Sequence, residues 1–302
     1  MKSKIVKRIF LTLGLIVLIA GGYFLWRYSR VTRDRPGRFD GERAYRDVIA
    51  QVEFGPRTPG SQAHQQTIDY IRRQLQEANW LVDVQTEKIN NGQTVKNVIA
   101  RRSDVPPQII LGAHYDSRLY AERDPELLKQ SEPVPGANDG ASGVAVLLEL
   151  GRVLPRNSAP IWLVFFDAED QGHIPGWDAW SLGARAFVQN FNLKPQAVII
   201  VDMVGDRDLK IWQEKQSTNW LVNDLWQTAA ELGFSHVFIP ETKYNIEDDH
   251  IPFLEAGIPA VDIIDIEYRY WHTTYDTVDK VSARSLSIVG LVLQTWIGKQ
   301  NR

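Results

Sequence analysis

The chain has 302 residues with a formal net charge of -3, 44% apolar and 24% charged residues, an ordinary globular composition with room for one large α/β domain. That charge balance supplies no basic face, so nucleic acid is not expected as a partner. The absence of cysteine excludes disulfides and thiolate metal sites without fixing a compartment.

Lys2, Lys4, Lys7 and Arg8 make residues 1–8 a short basic tail. Residues 9–26, IFLTLGLIVLIAGGYFLW, carry no charge. A helix of that length reaches about 27 Å, close to the hydrocarbon thickness of a bilayer. Four cations ahead of the span point to a cytoplasmic N-terminus, although Arg27, Arg30, Arg33 and Arg35 behind it blunt the asymmetry. A cleaved signal peptide is the other reading, but no Ala-x-Ala site follows and the run is long for an h-region. The expectation is a single-pass transmembrane signal anchor, a linker over 27–41, and a domain over 42–302 outside the cytoplasm, periplasmic or extracellular.

The domain opens with a predicted helix over 42–52, followed by the turn-rich GPRTPGS at 55–61. Ser61 is a candidate N-cap, and Ile68, Ile71 and Leu75 recur at helical spacing behind it. Residues 80–86 and 95–101 alternate apolar with polar side chains, as half-buried strands do, around an Asn90-Asn91-Gly92 turn. Unbroken apolar runs at 109–113, 161–166 and 197–201 suit strands buried on both faces, and 260–264 is a further predicted core strand. Helices are predicted over 142–154, 181–190, 219–232 and from Ser282 onward. The alternation gives an α/β fold with one mixed, mostly parallel central sheet flanked by helices, and no second domain.

In open α/β sheets, ligands bind beyond the carboxyl ends of the strands. His114 and Asp116 follow the first run, and Asp167, Glu169 and Asp170 the second. Asp202 ends the third, Asp139 lies in a glycine-rich turn before a helix, and His272 follows the last predicted strand. Singly, each has an ordinary use: a hydrogen-bonded histidine, a helix cap, a solvated pair, an acceptor for loop amides. Their coincidence at one sheet edge points to a site. With thiolates absent, Zn²⁺ favours imidazole and carboxylate, and Asp139, Asp170 and His272 would balance its charge while leaving a fourth position open. His114 and Asp202 would furnish a second metal position with Asp139 bridging, and Glu169 is placed to shuttle a proton.

GAHYDSR (112–118), GANDGASGV (136–144), FFDAED (165–170), DMVGD (202–206), EDDHIPF (247–253) and WHTTYDTVDKVS (271–282) together resemble the zinc aminopeptidase superfamily. Within it they are most similar to the glutaminyl-peptide cyclotransferases, or glutaminyl cyclases, and the likeness runs from about residue 55 to the end. It implies a zinc-dependent enzyme acting on peptide or protein N-termini, with one zinc in cyclases and two in the aminopeptidases. Carried over by motif, Asp139, Asp170 and His272 are the zinc ligands and Glu169 the acid/base. Asp202 and Asp248 are hydrogen-bonded acidic partners, and Trp177 and Trp271 are pocket aromatics. Two positions depart from the pattern: Asp170 replaces the more usual glutamate, and Asp262 stands where animal cyclases carry a histidine. A dizinc aminopeptidase, in which Glu169 activates water, remains the rival reading. A metal-free binding module on a degenerate scaffold is a third.

Overall fold

Apolar runs with no polar interruption can be buried on both faces only as interior strands, and that decides the centre of this molecule. The computed structural model describes residues 37–89, 92–156, 159–177 and 179–300. Its strands are β1 (Leu81–Lys88), β2 (Thr94–Arg101), β3 (Ile109–His114), β4 (Ile161–Phe166), β5 (Ala197–Asp202), β6 (Ile211–Glu214), β7 (Phe238–Tyr244) and β8 (Ala260–Ile264). Its helices are α1 (Gly41–Glu53), α2 (Gln62–Glu77), α3 (Ala141–Val153), α4 (Leu182–Asn190), α5 (Asn219–Glu231), α6 (Ile251–Glu255) and α7 (Ala283–Gln300). Six strands form one sheet in the order β1-β2-β4-β3-β5-β8. The β1–β2 and β2–β4 pairs are antiparallel, whereas β4, β3, β5 and β8 run parallel. The mixed, mostly parallel sheet expected from the sequence is therefore present.

Alternate residues of each interior strand feed two apolar layers. Leu111, Ala113, Leu163, Phe165, Ile199 and Val201 face α1, α2, α3, α5 and α7. Ile110, Val164, Phe166, Val198 and Ile200 face α4 and α6. Full burial of each such side chain contributes about 1.5–3 kcal/mol. Helix α3 presses hardest on the sheet, because a Cβ on Gly143 would lie 2.1 Å from the Val201 carbonyl oxygen. Only glycine permits that approach.

Local signals set the helix starts. Ser61 caps α2 by accepting from the His64 amide at 3.1 Å. Asp40 caps α1 by accepting from the amides of Glu42 and Arg43, so that helix begins at Gly41. Three elements carried no sequence expectation. Strand β6 is only four residues long, β7 is mostly exposed and contains Pro240, and α6 is a single turn with Pro252 in its first positions. The two shortest are too brief to show a period, and β7, mostly exposed, does not alternate buried with exposed positions. The apolar span at 9–26 lies outside the described residues, and among the described residues no helix is long and apolar enough to cross a membrane.

Candidate active site

The parallel strands end in a row, and the residues just past their carboxyl ends meet. His114 closes β3 and Asp202 closes β5. Asp167, Glu169 and Asp170 follow β4, with Ala168 at φ 51 turning the chain back at once. His272 lies in the loop after β8 and itself adopts φ 58, a left-handed conformation unusual for a non-glycine residue. The glycine-rich turn lays Asp139 over this edge. A Cβ on Gly140 would sit 2.6 Å from the His114 ring, so a bare backbone is required there as well.

Two ligand groups share Asp139. In one, His272 Nε2 lies 2.9 Å from Asp170 Oδ1 and 3.9 Å from Asp139 Oδ2. In the other, His114 Nε2 lies 3.1 Å from Asp139 Oδ1 and 3.0 Å from Asp202 Oδ1. In each group the three ligand atoms lie within 4.8 Å of one another, and all five residues are buried. Among the described residues, Asp139 Oδ2 and Asp170 Oδ2 accept no hydrogen bond. Buried carboxylate oxygens without donors are costly, and a cation between them would remove that cost. The donor set of imidazole and carboxylate fits zinc.

Deeper contacts hold the ligands in place. Asp276 accepts from the amides of Asn138 (2.8 Å) and Asp139 (3.1 Å), and its Oδ1 also accepts from the Tyr268 hydroxyl at 2.7 Å. Asp116 accepts from the amides of Glu169 and Asp170 and from the Gln171 side chain. The fully buried Arg57 donates to the carbonyls of Tyr115, Pro135 and Gly136, so one guanidinium ties two loops of the site together. Arg118 donates to the carbonyls of Asp170 and Gly172, and to Glu122. Glu122 in turn stands 2.5 Å from His272 Nδ1.

Burial and mutual repulsion set the charge of the group. Burial first, and the Asp139 charge second, raise Asp170 to about 6. Burial raises Asp202 to about 7 against the pull of His114. Burial followed by the charge of Asp248 pushes Glu169 well above the usual carboxylate range. Burial alone would lower His272, but Asp170 and Glu122 outweigh it and lift the imidazole to about 9.

A cavity of about 290 Å³ opens onto these groups, lined among others by Asp139, Glu169, Asp170, Trp180, Asp202 and Trp271. Asp248, Met203, Ile246 and Ile264 complete much of its wall. The expected residues Asp139, Asp170, His272, His114, Asp202, Glu169, Asp248 and Trp271 are thus assembled at one edge. Trp177 is not among them. It packs with Val95, Ala168, Ile174 and Ala186 beside a different hollow, and Trp180 takes the wall instead, stacked on His272 at 6.0 Å between ring centroids. The correction is a matter of loop length: the turn after Asp170 carries its pocket tryptophan three residues later than the motif suggested. Glu122 was missed altogether. It precedes His272 by 150 residues in an irregular loop, and no local pattern marks it.

This arrangement defines a metal-dependent hydrolase-like class. Residues 97–297 match Peptidase family M28, a zinc-dependent family to which the chain belongs. The crystal structure of Porphyromonas gingivalis glutaminyl cyclase is 32% identical, over 87% of this chain and 99% of that one, with a TM-score of 0.81. That of Bacteroides thetaiotaomicron glutaminyl cyclase bound to N-acetylhistamine is 30% identical, over 89% of this chain and all (100%) of that one, with a TM-score of 0.82. The glutaminyl-peptide cyclotransferase of Boiga irregularis is 25% identical, over 82% of this chain and 77% of its own length.

Proposed function

We propose that the chain is a zinc-dependent glutaminyl-peptide cyclotransferase, converting an N-terminal glutamine of peptides or proteins to pyroglutamate with release of ammonia. The observation that carries this reading is the pocket that sets Glu169 beside Asp139 and Asp170 between the walls of Trp180 and Trp271. At about 290 Å³ it lies at the lower end of the volumes that hold small ligands, about 300–1,000 Å³, which suits one terminal side chain better than a length of polypeptide.

Asp139, Asp170 and His272 would hold zinc, and bound there it would polarise the γ-carboxamide carbonyl of the substrate. Trp180 and Trp271 would hold the glutaminyl side chain flat, bringing its α-amine towards its own amide carbon. As the amine attacks, Glu169 takes its proton; a C–N bond forms and closes the lactam ring. Glu169 then returns the proton to the departing nitrogen, the original C–N bond breaks, and ammonia leaves. Asp248 and Asp202 border Glu169, and the Asp248 charge favours its protonated state.

The second reading, a dizinc aminopeptidase releasing N-terminal residues, is favoured by one observation, the complete group His114, Asp139 and Asp202. Incubating the protein with Gln-peptides and Leu-peptides separates the two. Ammonia without chain shortening supports the cyclase, and free leucine overturns it. The apolar run at 9–26 supports a membrane anchor with the catalytic domain, residues 42–302, extracytoplasmic. Protease accessibility of that domain in intact cells tests this placement.

A further inference from the structure

A third convergence of ligand atoms lies outside the two groups that share Asp139. Carboxylate oxygens of Asp248 and Asp262 and an imidazole nitrogen of His250 fall within 4.8 Å of one another, and all three residues are buried. Asp262 is unusual in its own right. It sits in the middle of β8, the strand that ends the six-stranded sheet beside β5, with Val261 and Ile263 on either side, and is fully buried. A carboxylate in such a strand is costly unless something neutralises it.

Nothing within the described residues donates to it. Both Asp262 oxygens, Asp248 Oδ2 and both ring nitrogens of His250 lack hydrogen-bond partners among the described residues. Carboxylates face both ring nitrogens of His250. Its Nε2 lies 3.2 Å from Glu214 Oε2, while Nδ1 lies 3.8 Å from Asp262 Oδ2. Glu214 is itself held by the Gln216 amide and by the amide and hydroxyl of Ser217. With Glu214 facing Nε2, Nδ1 is the ring nitrogen left directed at Asp262. Three ligand-type atoms thus converge, and a carboxylate stands behind the imidazole, the arrangement that orients histidines toward metals.

We propose that Asp248, His250 and Asp262 form a buried binding site for a divalent cation of the zinc class, separate from the centre at Asp139, Asp170 and His272, with Glu214 orienting the imidazole. Two carboxylates and one neutral imidazole balance such an ion, as in the nitrogen- and oxygen-ligated zinc sites. The ion would clamp the segment before α6 to the centre of β8. Entry runs past Asp248, which lines the wall of the active-site cavity.

The test counts metal and does not use activity, so it stands apart from the cyclase reading. The full chain carrying His114→Gln, Asp139→Asn and His272→Gln loses ligands from both catalytic groups. After chelator treatment and titration with Zn²⁺ alone, this variant is expected to retain about one equivalent by elemental analysis. Adding His250→Gln, or the near-isosteric Asp262→Asn, is expected to remove it. A folded triple variant that binds no zinc overturns the proposal, as does zinc that survives both added substitutions. If the triple variant does not fold, the same substitutions are made in the unaltered chain. There, loss of about one equivalent relative to the parent supports the site, and an unchanged count overturns it.

Discussion

On one side of Asp139, His272 presents Nε2 to Asp170 while Glu122 grips its Nδ1 at 2.5 Å. On the other side, His114 presents Nε2 to Asp202, but its Nδ1 has no hydrogen-bond partner and lies 3.4 Å from Asp116. The oxygens of Asp116 are already engaged by the amides of Glu169 and Asp170. A carboxylate on the far nitrogen fixes the tautomer of a metal-binding histidine and strengthens it as a ligand. His114 has a different balance. Burial pulls its pKa down, but Asp202, Asp116 and Asp139 together push it well above the usual value. The two histidines thus differ in their outer partners: a carboxylate grips the far nitrogen of His272 at hydrogen-bond distance, and that of His114 has no such grip among the described residues.

The most severe way to strain this comparison is Asp139→Asn, which damages both halves. Zinc retention at the shared centre and turnover are both expected to vanish, read by elemental analysis and ammonia release. Glu169→Gln should leave zinc in place yet lower turnover by about 10²–10⁴-fold, the range usual for loss of an acid/base group. Loss of metal in that variant would mean that Glu169 and Asp170 have exchanged roles. Glu122→Gln should weaken zinc by about 10–100-fold, the typical cost of removing such a partner. His114→Gln should change the affinity of the tight ion much less. An equal loss in the two variants would erase the asymmetry between the halves.

Acid provides a gentler probe. Because the His272 pKa is raised to about 9, the metal-free imidazole is protonated below that pH, and zinc must displace the proton. Apparent affinity in a competitive titration should fall by about tenfold per unit as pH drops below 9, and more steeply once Asp170 takes up its own proton near 6. A flat profile between pH 7 and 9 would contradict the assignment of His272. The smallest catalytic effect is expected from Trp177→Ala. This change should cost about 3–5 kcal/mol of stability, as core aromatic truncations do, while the folded fraction keeps its KM. Trp180→Ala should instead raise KM and leave the unfolding midpoint nearly unchanged.

Much of this was legible in the chain itself. The interior strands announced themselves because burial on both faces permits only apolar side chains, and the strand ends located the acids and histidines. Motif order then paired Asp139 with Asp170 and His272. Short-range signals failed where the geometry is tertiary. Glu122 touches His272 only because an irregular loop folds back along the loop after β8, where the Arg123 amide meets the His272 carbonyl. Trp177 and Trp180 differ by three positions in one turn, and nothing local says which faces the cavity. Asp262 read as a mere departure from the family pattern until the fold placed His250 beside it.

Asp276 has a consequence for biosynthesis. This single carboxylate orders the amides of Asn138 and Asp139 from a position 138 residues downstream of the first. A nascent chain that has displayed Asp139, Asp170 and Asp202 still lacks both His272 and the clasp that orients Asp139. On the proposed ligand set, charging with zinc is expected to wait until the loop that carries His272 has been made. A ribosome-stalled fragment ending before His272 should remain unable to hold the ion, however well its first strands have folded.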